Sequence, residues 1–68
     1  MYKKLRQLRK INEITLEQVS AETGISVGYL NRIERGYIAN IKNQTKRENL
    51  EIYIKKLEEM TKEKLQFI

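Results

Sequence analysis

The side chains best suited to chemistry in this sequence lie close together between Ser26 and Arg35. They comprise a hydroxyl, an amide and two guanidinium groups, on Ser26, Asn31, Arg32 and Arg35. On the face of a helix, a guanidinium can bind guanine and an amide can bind adenine through paired hydrogen bonds. We therefore expect Asn31 and Arg32 to face a DNA duplex. For each of them, a contact to the phosphate backbone is the alternative to a contact with a base.

The predicted base-facing set also includes two residues without hydrogen-bonding side chains. Val27 can contact the methyl group of thymine, and Gly28 allows close approach of the backbone. Neither reads a pattern of donors and acceptors, and Gly28 costs about 1 kcal/mol of helix propensity relative to alanine. The complete base-facing set is Ser26, Val27, Gly28, Asn31 and Arg32.

Positive charge is concentrated in the first two thirds of the chain. Of the net charge of +5, residues 1–36 contribute +3, residues 37–47 another +3 and residues 48–68 contribute −1. This distribution is typical of a surface that binds the phosphate groups of nucleic acid. A solvated, lysine-rich surface would show the same excess of positive charge. The predicted phosphate-contacting residues are Thr15, Gln18, Tyr29, Arg35, Lys42, Asn43, Lys46 and Arg47.

The composition excludes the commonest kinds of active site. The sequence contains no histidine, cysteine or aspartate, so neither a Ser–His–Asp triad nor a disulfide nor a thiolate zinc site can form from it. Glutamate and lysine remain, but nothing in their spacing arranges them into a site. We therefore expect no enzymatic activity, no cofactor, no metal ion and no small-molecule ligand.

A short helix and a tight turn precede the base-facing segment. Thr15 and Gln18 have the spacing of a capping box, which predicts a helix from about Leu16 to Glu22. Gly24 follows, and glycine readily adopts the positive φ that a sharp turn between helices requires.

A second short helix carries the base-facing residues themselves. Ser26 is a good N-cap, and Gly36 suits the position just beyond a helix that ends near Arg35. The inward faces of the two helices are predicted to be apolar, with core positions Val19, Ile25, Leu30 and Ile33.

Another amphipathic helix is predicted at the start of the chain. Its apolar residues recur at every third position and are expected to lie in the core, and they are Tyr2, Leu5, Leu8 and Ile11. Asn12 follows this helix. Because asparagine tolerates the left-handed conformation, we expect it to turn the chain.

The central segment resembles the lambda-repressor-like, Cro/Xre-type helix-turn-helix family. The similarity rests on Leu8-Arg9, on Ile14-Thr15 and on the run G-I-S-V-G-Y-L-N-R-I-E-R-G from Gly24 to Gly36. It implies an all-α, compact domain of roughly four to five helices, with the helix-turn-helix over residues 15–36. It also implies an ion pair between Arg9 and Glu34, for which two independent surface charges are the alternative.

The sequence departs from the pattern of this family at Leu16, and again at Val27 and Gly28, where relatives often have polar residues. Leu16 stands where relatives often have a glutamine that contacts a DNA phosphate. The phosphate role then falls to the backbone N–H groups at the start of this helix, to Thr15 and to Gln18.

The chain beyond Gly36 is predicted to form an extended basic loop and a C-terminal helical segment. The loop covers residues 37–45, and we expect it either to fold over the core, to add a short helical turn or to remain a loose surface loop. Thr45 and Glu48 have capping-box spacing, which predicts a helix from about Lys46 to Met60 within the segment 46–68. Beyond Met60, either Thr61 caps a short final helix or the same helix continues through it. Residues 1–68 are expected to form a single domain.

The chain end is unusually apolar, with Leu65, Phe67 and Ile68 among its last residues. These residues either pack back on the first helix or form part of a two-fold interface. A small chain has little core of its own, so we favour a homodimer through the last long helix and the tail.

Taken together, these patterns predict a sequence-specific regulator of transcription that binds double-stranded DNA. The resemblance implies a small repressor of phage, plasmid or other mobile-element type. The alternative is a protein–protein regulatory module, such as an antitoxin or anti-repressor, that uses the same fold. No apolar run approaches the ~20 residues of a membrane span and no secretory signal is evident, so no membrane partner and a cytoplasmic location are expected.

Overall fold

The computed structural model describes residues 2–66, and its regular structure over that range is entirely helical. The four helices are α1 (Lys4–Ile11), α2 (Leu16–Thr23), α3 (Val27–Glu34) and α4 (Gln44–Gln66). The all-α prediction is therefore confirmed. Along the described residues, no helix is both long and apolar enough to cross a membrane.

One hydrophobic cluster holds the helices together. Both α1 and α2 pack against α4, while α3 packs against α2 and, less extensively, against α1. The predicted core positions of α2, the turn and α3 are all buried. The most deeply buried apolar residues are Leu5, Val19, Ile25, Leu30, Ile33, Ile41, Leu50 and Leu57.

The prediction that Ile11 joins this core is wrong. Tyr2, Leu5 and Leu8 are buried, but Ile11 is 50% exposed. The reason is geometric, because a strict spacing of three residues drifts against the ~3.6 residues of a helical turn. Over the nine positions from Tyr2 to Ile11 this drift amounts to about half a turn, so the last residue points away from the first.

The turn between α1 and α2 places the left-handed residue one position later than predicted. Asn12 has φ −95° and Glu13 has φ +55°. Asn12 instead lies buried, with its amide donating to the Leu8 carbonyl at 2.8 Å and to the Thr61 hydroxyl at 3.0 Å. Tertiary hydrogen bonding therefore fixes Asn12 and leaves the strained conformation to its neighbour.

The caps of α2 follow the sequence pattern. The Thr15 hydroxyl accepts from the Gln18 N–H at 3.2 Å, and the Gln18 side-chain oxygen accepts from the Thr15 N–H at 2.8 Å. At the other end Gly24 has φ +76°. The helix continues to Thr23, whose hydroxyl donates to the Val19 carbonyl at 2.8 Å. The capping-box prediction is confirmed.

Helix α4 begins earlier than predicted, and of the two alternatives for its end the structure shows continuation through Thr61. It starts at Gln44, because the Asn43 side chain accepts from the Lys46 N–H at 3.0 Å and so occupies the capping role predicted for Thr45. It also continues past Met60 to Gln66, since the Thr61 hydroxyl donates back to the Leu57 carbonyl at 2.8 Å and does not cap a new helix.

The segment between α3 and α4 folds over the core without forming a helical turn. Ile41 is only 2% exposed and Ile38 packs partly against the core. The Arg47 guanidinium donates to the Ile41 carbonyl at 3.1 Å and fixes the segment to the first turns of α4. Of the predicted apolar tail, Leu65 is exposed, while Phe67 and Ile68 lie outside the described residues.

Candidate nucleic-acid interface

The helix α3 is held by caps at both of its ends. The Ser26 hydroxyl accepts from the Tyr29 N–H at 3.3 Å. At the other end Gly36 has φ +83°, and its N–H donates to the Ile33 carbonyl at 3.1 Å while the Tyr37 N–H donates to the Arg32 carbonyl at 2.9 Å. This pair of bonds is the Schellman arrangement, for which glycine carries no steric penalty. The ends of α3 are therefore well defined.

One face of α3 is buried and the other is open. Leu30 and Ile33 point into the core. The predicted base-facing residues share the open side, where four are exposed and Val27 is half-buried. A Cβ added at Gly28 would meet no neighbouring group within 4 Å, so the space above the backbone is open at this position. The exposed base-facing residues are Ser26, Gly28, Asn31 and Arg32.

An ion pair behind this face joins α1 to α3. The Arg9 Nε lies 2.8 Å from Glu34 Oε2, and Arg9 Nη2 lies 3.0 Å from Glu34 Oε1. A third bond runs from Arg9 Nη1 to the Ile14 carbonyl at 3.1 Å. The Glu34 side chain is 4% exposed. Its hydrogen bond raises the pKa of Arg9 above the ordinary value, so the guanidinium stays charged.

Two of the predicted phosphate contacts lie at the start of α2 and are already engaged. The oxygen atoms of Thr15 and Gln18 serve the capping box, which leaves the Gln18 amide nitrogen as a side-chain donor. The first backbone N–H groups of the helix have no partner within it. However, Glu17 is exposed in the first turn, and its charge weakens the attraction of this helix end for phosphate.

The remaining predicted phosphate contacts differ in how exposed their side chains are and in whether other contacts within the protein already use them. The side chains of Arg35, Lys42 and Lys46 are exposed. Those of Tyr29 and Arg47 are half-buried, and Arg47 is used to hold the segment before α4. Asn43 is exposed, but its side-chain oxygen caps α4. Among the predicted phosphate contacts, the exposed cations are thus Arg35, Lys42 and Lys46.

Two kinds of surface residue were missed by reasoning from the sequence. Tyr37 is 75% exposed and lies with Asn40 beside the start of α3, in a groove that depends on the path of the segment before α4. The other kind comprises exposed cations in α1 and just before it. Their alternation with apolar residues in the sequence did indicate an exposed, charged face. These are Lys3, Lys4, Arg6 and Lys10. Among residues 2–66, no cluster of acidic side chains could hold a metal ion.

Comparison with known proteins agrees with this geometry. The sequence model of the helix-turn-helix family matches residues 5–45, which is more than half of the 68-residue chain and includes α1, α2 and α3. Searches of the curated proteins and of the solved structures each found no match. The matched region contains the capped pair of helices α2 and α3 and the ion pair that supports them. The chain therefore belongs to the lambda-repressor-like helix-turn-helix family of DNA-binding regulatory domains.

Proposed function

We propose that this protein is a sequence-specific regulator of transcription that binds double-stranded DNA, and that it acts as a small repressor. The observation that carries the proposal is the exposed polar face of α3. The side chains at the start of this face are short, and Asn31 and Arg32 follow farther along, with Arg32 in the last turn of the helix. It is held in place by two caps and by the Arg9–Glu34 pair. A helix so placed fits the major groove and presents its N-terminal half to base edges.

Binding would be reversible and would involve no catalysis. Phosphate contacts from Lys42, Lys46 and Arg35 supply affinity that falls with salt, and the residues at the start of α3 select the sequence. Repression follows when the protein occupies a promoter and excludes the transcription machinery. The family suggests a cytoplasmic regulator carried by a phage, a plasmid or another mobile element.

A homodimer through α4 and the tail belongs to this proposal. Apolar side chains on α4 remain uncovered in the monomer, with Ile52 67% exposed and Leu65 62% exposed. Dimers of helix-turn-helix domains place their two recognition helices about 34 Å apart, which is one turn of DNA. Two weak half-site contacts would then combine into one specific site.

A second candidate is a protein–protein regulatory module, such as an antitoxin or an anti-repressor. The acidic Glu17 at the start of α2 and the missing side chain at Gly28 both weaken the expected DNA contacts. The exposed Ile52 would equally suit a different protein chain. In this candidate, DNA binding is secondary to the protein contact.

Selection of bound fragments from genomic and random DNA, repeated at several salt concentrations, tests the first proposal against the second. We expect enrichment of a two-fold symmetric site and an affinity that falls steeply with salt. Sedimentation of the complex should give two chains per site. Absence of binding to any duplex in dilute buffer would contradict the first proposal and favour the second.

A further inference from the structure

A groove lies beside the start of α3, between that helix and the segment leading into α4. It has a volume of about 590 Å³. This size falls within the ~300–1,000 Å³ typical of small-molecule sites. We call it the α3–α4 groove. The groove forms because Ile41 packs into the core, so that the residues just before it pass close to Ile25.

The inner surface of the α3–α4 groove is apolar and aromatic. Ile38 and Ala39 line it with accessible apolar surface, whereas Ile25 and Ile41, which also line it, are only 1% and 2% exposed. The rings of Tyr29 and Tyr37 contribute to its sides, the first half-buried and the second largely exposed. Aliphatic groups beside aromatic rings favour a planar, apolar occupant, because stacked and edge-on aromatic contacts add to simple burial.

The charge around the groove has a single sign. Lys42 and Lys46 line it, and no acidic residue does. Neither lysine forms an ion pair with a carboxylate among residues 2–66. The caps of α3 and α4, Ser26 and Asn43, also line the groove, and neither helix has an acidic residue in its first turn. The positive ends of two helices therefore add to the two ammonium groups.

We propose that the α3–α4 groove binds a small aromatic anion, a planar ring that carries a phosphate or a carboxylate group. The ring lies against Ile38 and the two tyrosines, and the anionic group meets the ammonium groups of Lys42 and Lys46. A neutral ring would leave both cations unpaired, and a bare anion would leave the apolar surface in water. Only a molecule with both parts matches the whole groove.

Occupation of the groove also has a consequence for DNA, which rests on the proposed function. Five residues that line it belong to the predicted DNA-contacting set, and they are Ser26, Tyr29, Lys42, Asn43 and Lys46. A bound anion would neutralise two cations that the duplex needs. The anion and the duplex therefore exclude one another, and the anion acts as an inducer that releases the DNA.

Phenyl phosphate is a suitable probe, and its binding to the full chain is measured by NMR titration without DNA. Inorganic phosphate and benzyl alcohol, at the same ionic strength, separate the contributions of charge and ring. We expect phenyl phosphate to bind more tightly than either by at least about fivefold, given the usual strength of an aromatic contact. The shifted signals should include the rings of Tyr29 and Tyr37. Equal binding of phosphate and phenyl phosphate, or shifts elsewhere in the chain, would overturn the proposal.

Variants sharpen this test. Lys42→Gln with Lys46→Gln should weaken phenyl phosphate about fivefold or more, as expected for the loss of two charge contacts. The double variant Lys55→Gln with Lys62→Gln removes the same charge from the exposed side of α4 and should change binding less than twofold. Tyr37→Ala removes an exposed ring without disturbing the core and should also weaken binding. Similar losses in both double variants would reduce the effect to net charge and refute a localised site.

The effect of the bound probe on DNA affinity is measured separately, with a duplex obtained from the selection experiment. Saturating phenyl phosphate should raise the apparent Kd of the duplex, while benzyl alcohol should leave it unchanged. If the probe binds in the groove and the duplex affinity does not move, the inducer role is wrong. If the chain binds no duplex at all, the inducer role falls with the proposed function, whereas binding of the probe is still decided by the titration without DNA.

Discussion

The guanidinium of Arg9 and the carboxylate of Glu34 meet face to face, with Nε 2.8 Å from Oε2 and Nη2 3.0 Å from Oε1. This geometry is bidentate and largely shielded from water, since the two side chains are 16% and 4% exposed. The same guanidinium also donates to the carbonyl of Ile14, just before α2. A single side chain thus connects α1, the residues just before α2 and the C-terminal end of α3. It thereby fixes the orientation of α3 relative to α1.

We expect Glu34→Gln to destabilise the protein by about 3 kcal/mol, because breaking a buried pair leaves the guanidinium without its counter-charge. Lys62→Gln is the matched control. It breaks an exposed pair in which Lys62 Nζ lies 3.8 Å from Glu59 Oε1, and such pairs contribute under about 1 kcal/mol. Urea unfolding measures both free energies. Equal losses would mean that the Arg9–Glu34 pair does not support α3.

Glu13 is the one non-glycine residue among residues 2–66 with positive φ. It ends α1 in the Schellman manner, since its N–H donates to the Lys10 carbonyl at 3.1 Å and the Ile14 N–H donates to the Arg9 carbonyl at 2.9 Å. We expect Glu13→Gly to stabilise the protein by about 1 kcal/mol, because glycine adopts this conformation without strain. Glu13→Ala removes the same carboxylate but keeps the Cβ, so thermal unfolding should show no comparable gain. A gain of equal size in both variants would assign the effect to charge.

High pH should destabilise the fold through two buried phenols. Burial raises the pKa of Tyr2 and of Tyr53 above the ordinary value of 10.0, and the carboxylates of Glu51 and Glu22 add to the respective shifts. Because the folded pKa lies above the unfolded one, the neutral phenols favour folding below pH ~10, and this contribution is lost as pH rises through the folded pKa.

The double variant Tyr2→Phe with Tyr53→Phe should therefore lose less stability than the parent between about pH 9 and pH 11. Tyr37→Phe changes an exposed ring and serves as the control, with an expected pH dependence like that of the parent. Denaturant unfolding at fixed pH values gives the three curves. A double variant that follows the parent curve would show that ionisation of these phenols is not coupled to folding.

A substitution at Gly28 distinguishes an effect on helix stability from an effect on DNA binding. A Cβ at this position would meet nothing within 4 Å, so Gly28→Ala should stabilise the protein by about 1 kcal/mol through helix propensity alone. If the backbone at Gly28 approaches a base or phosphate closely, the same methyl group should weaken binding to the selected duplex. Thermal unfolding and duplex titration of one variant should then move in opposite directions. A stabilised variant with full affinity would remove Gly28 from the interface.

The parts of this structure that the sequence predicts well are those set by local chemistry. Thr15 and Gln18 are three residues apart and form their capping box without help from the rest of the fold. By contrast, Asn43 and Thr45 are both good caps, and only the packing of α4 decides between them. The conformation of Asn12, which leaves the left-handed position to Glu13, depends on its hydrogen bond to Thr61, which lies 49 residues away in the chain. No local pattern carries that information.

The same distinction applies to the candidate site. The open face of α3 follows from helical periodicity, so its members were predictable from spacing alone. The α3–α4 groove depends on how the chain returns over Ile25 after Gly36, which is a tertiary property. Its most exposed ring, Tyr37, gave no local signal. The sequence therefore indicated the surface that we propose faces DNA, but not the cavity beside it.

Arg32 offers the most direct test of sequence readout. It is exposed in the last turn of α3, on the open face, and its backbone carbonyl is fixed by the Tyr37 N–H at 2.9 Å. If it binds guanine through two hydrogen bonds, Arg32→Ala should cost about 1–3 kcal/mol on the selected site and relax the preference at one base pair. Lys42→Ala is the contrasting change, because loss of a phosphate contact should weaken all duplexes alike and reduce the salt slope by about one unit. Titration of both variants against the selected site, a single-base variant of it and a random duplex separates the two behaviours. Equal losses on all three duplexes for Arg32→Ala would assign this guanidinium to the phosphate backbone, and selectivity would then rest on Ser26 and Asn31.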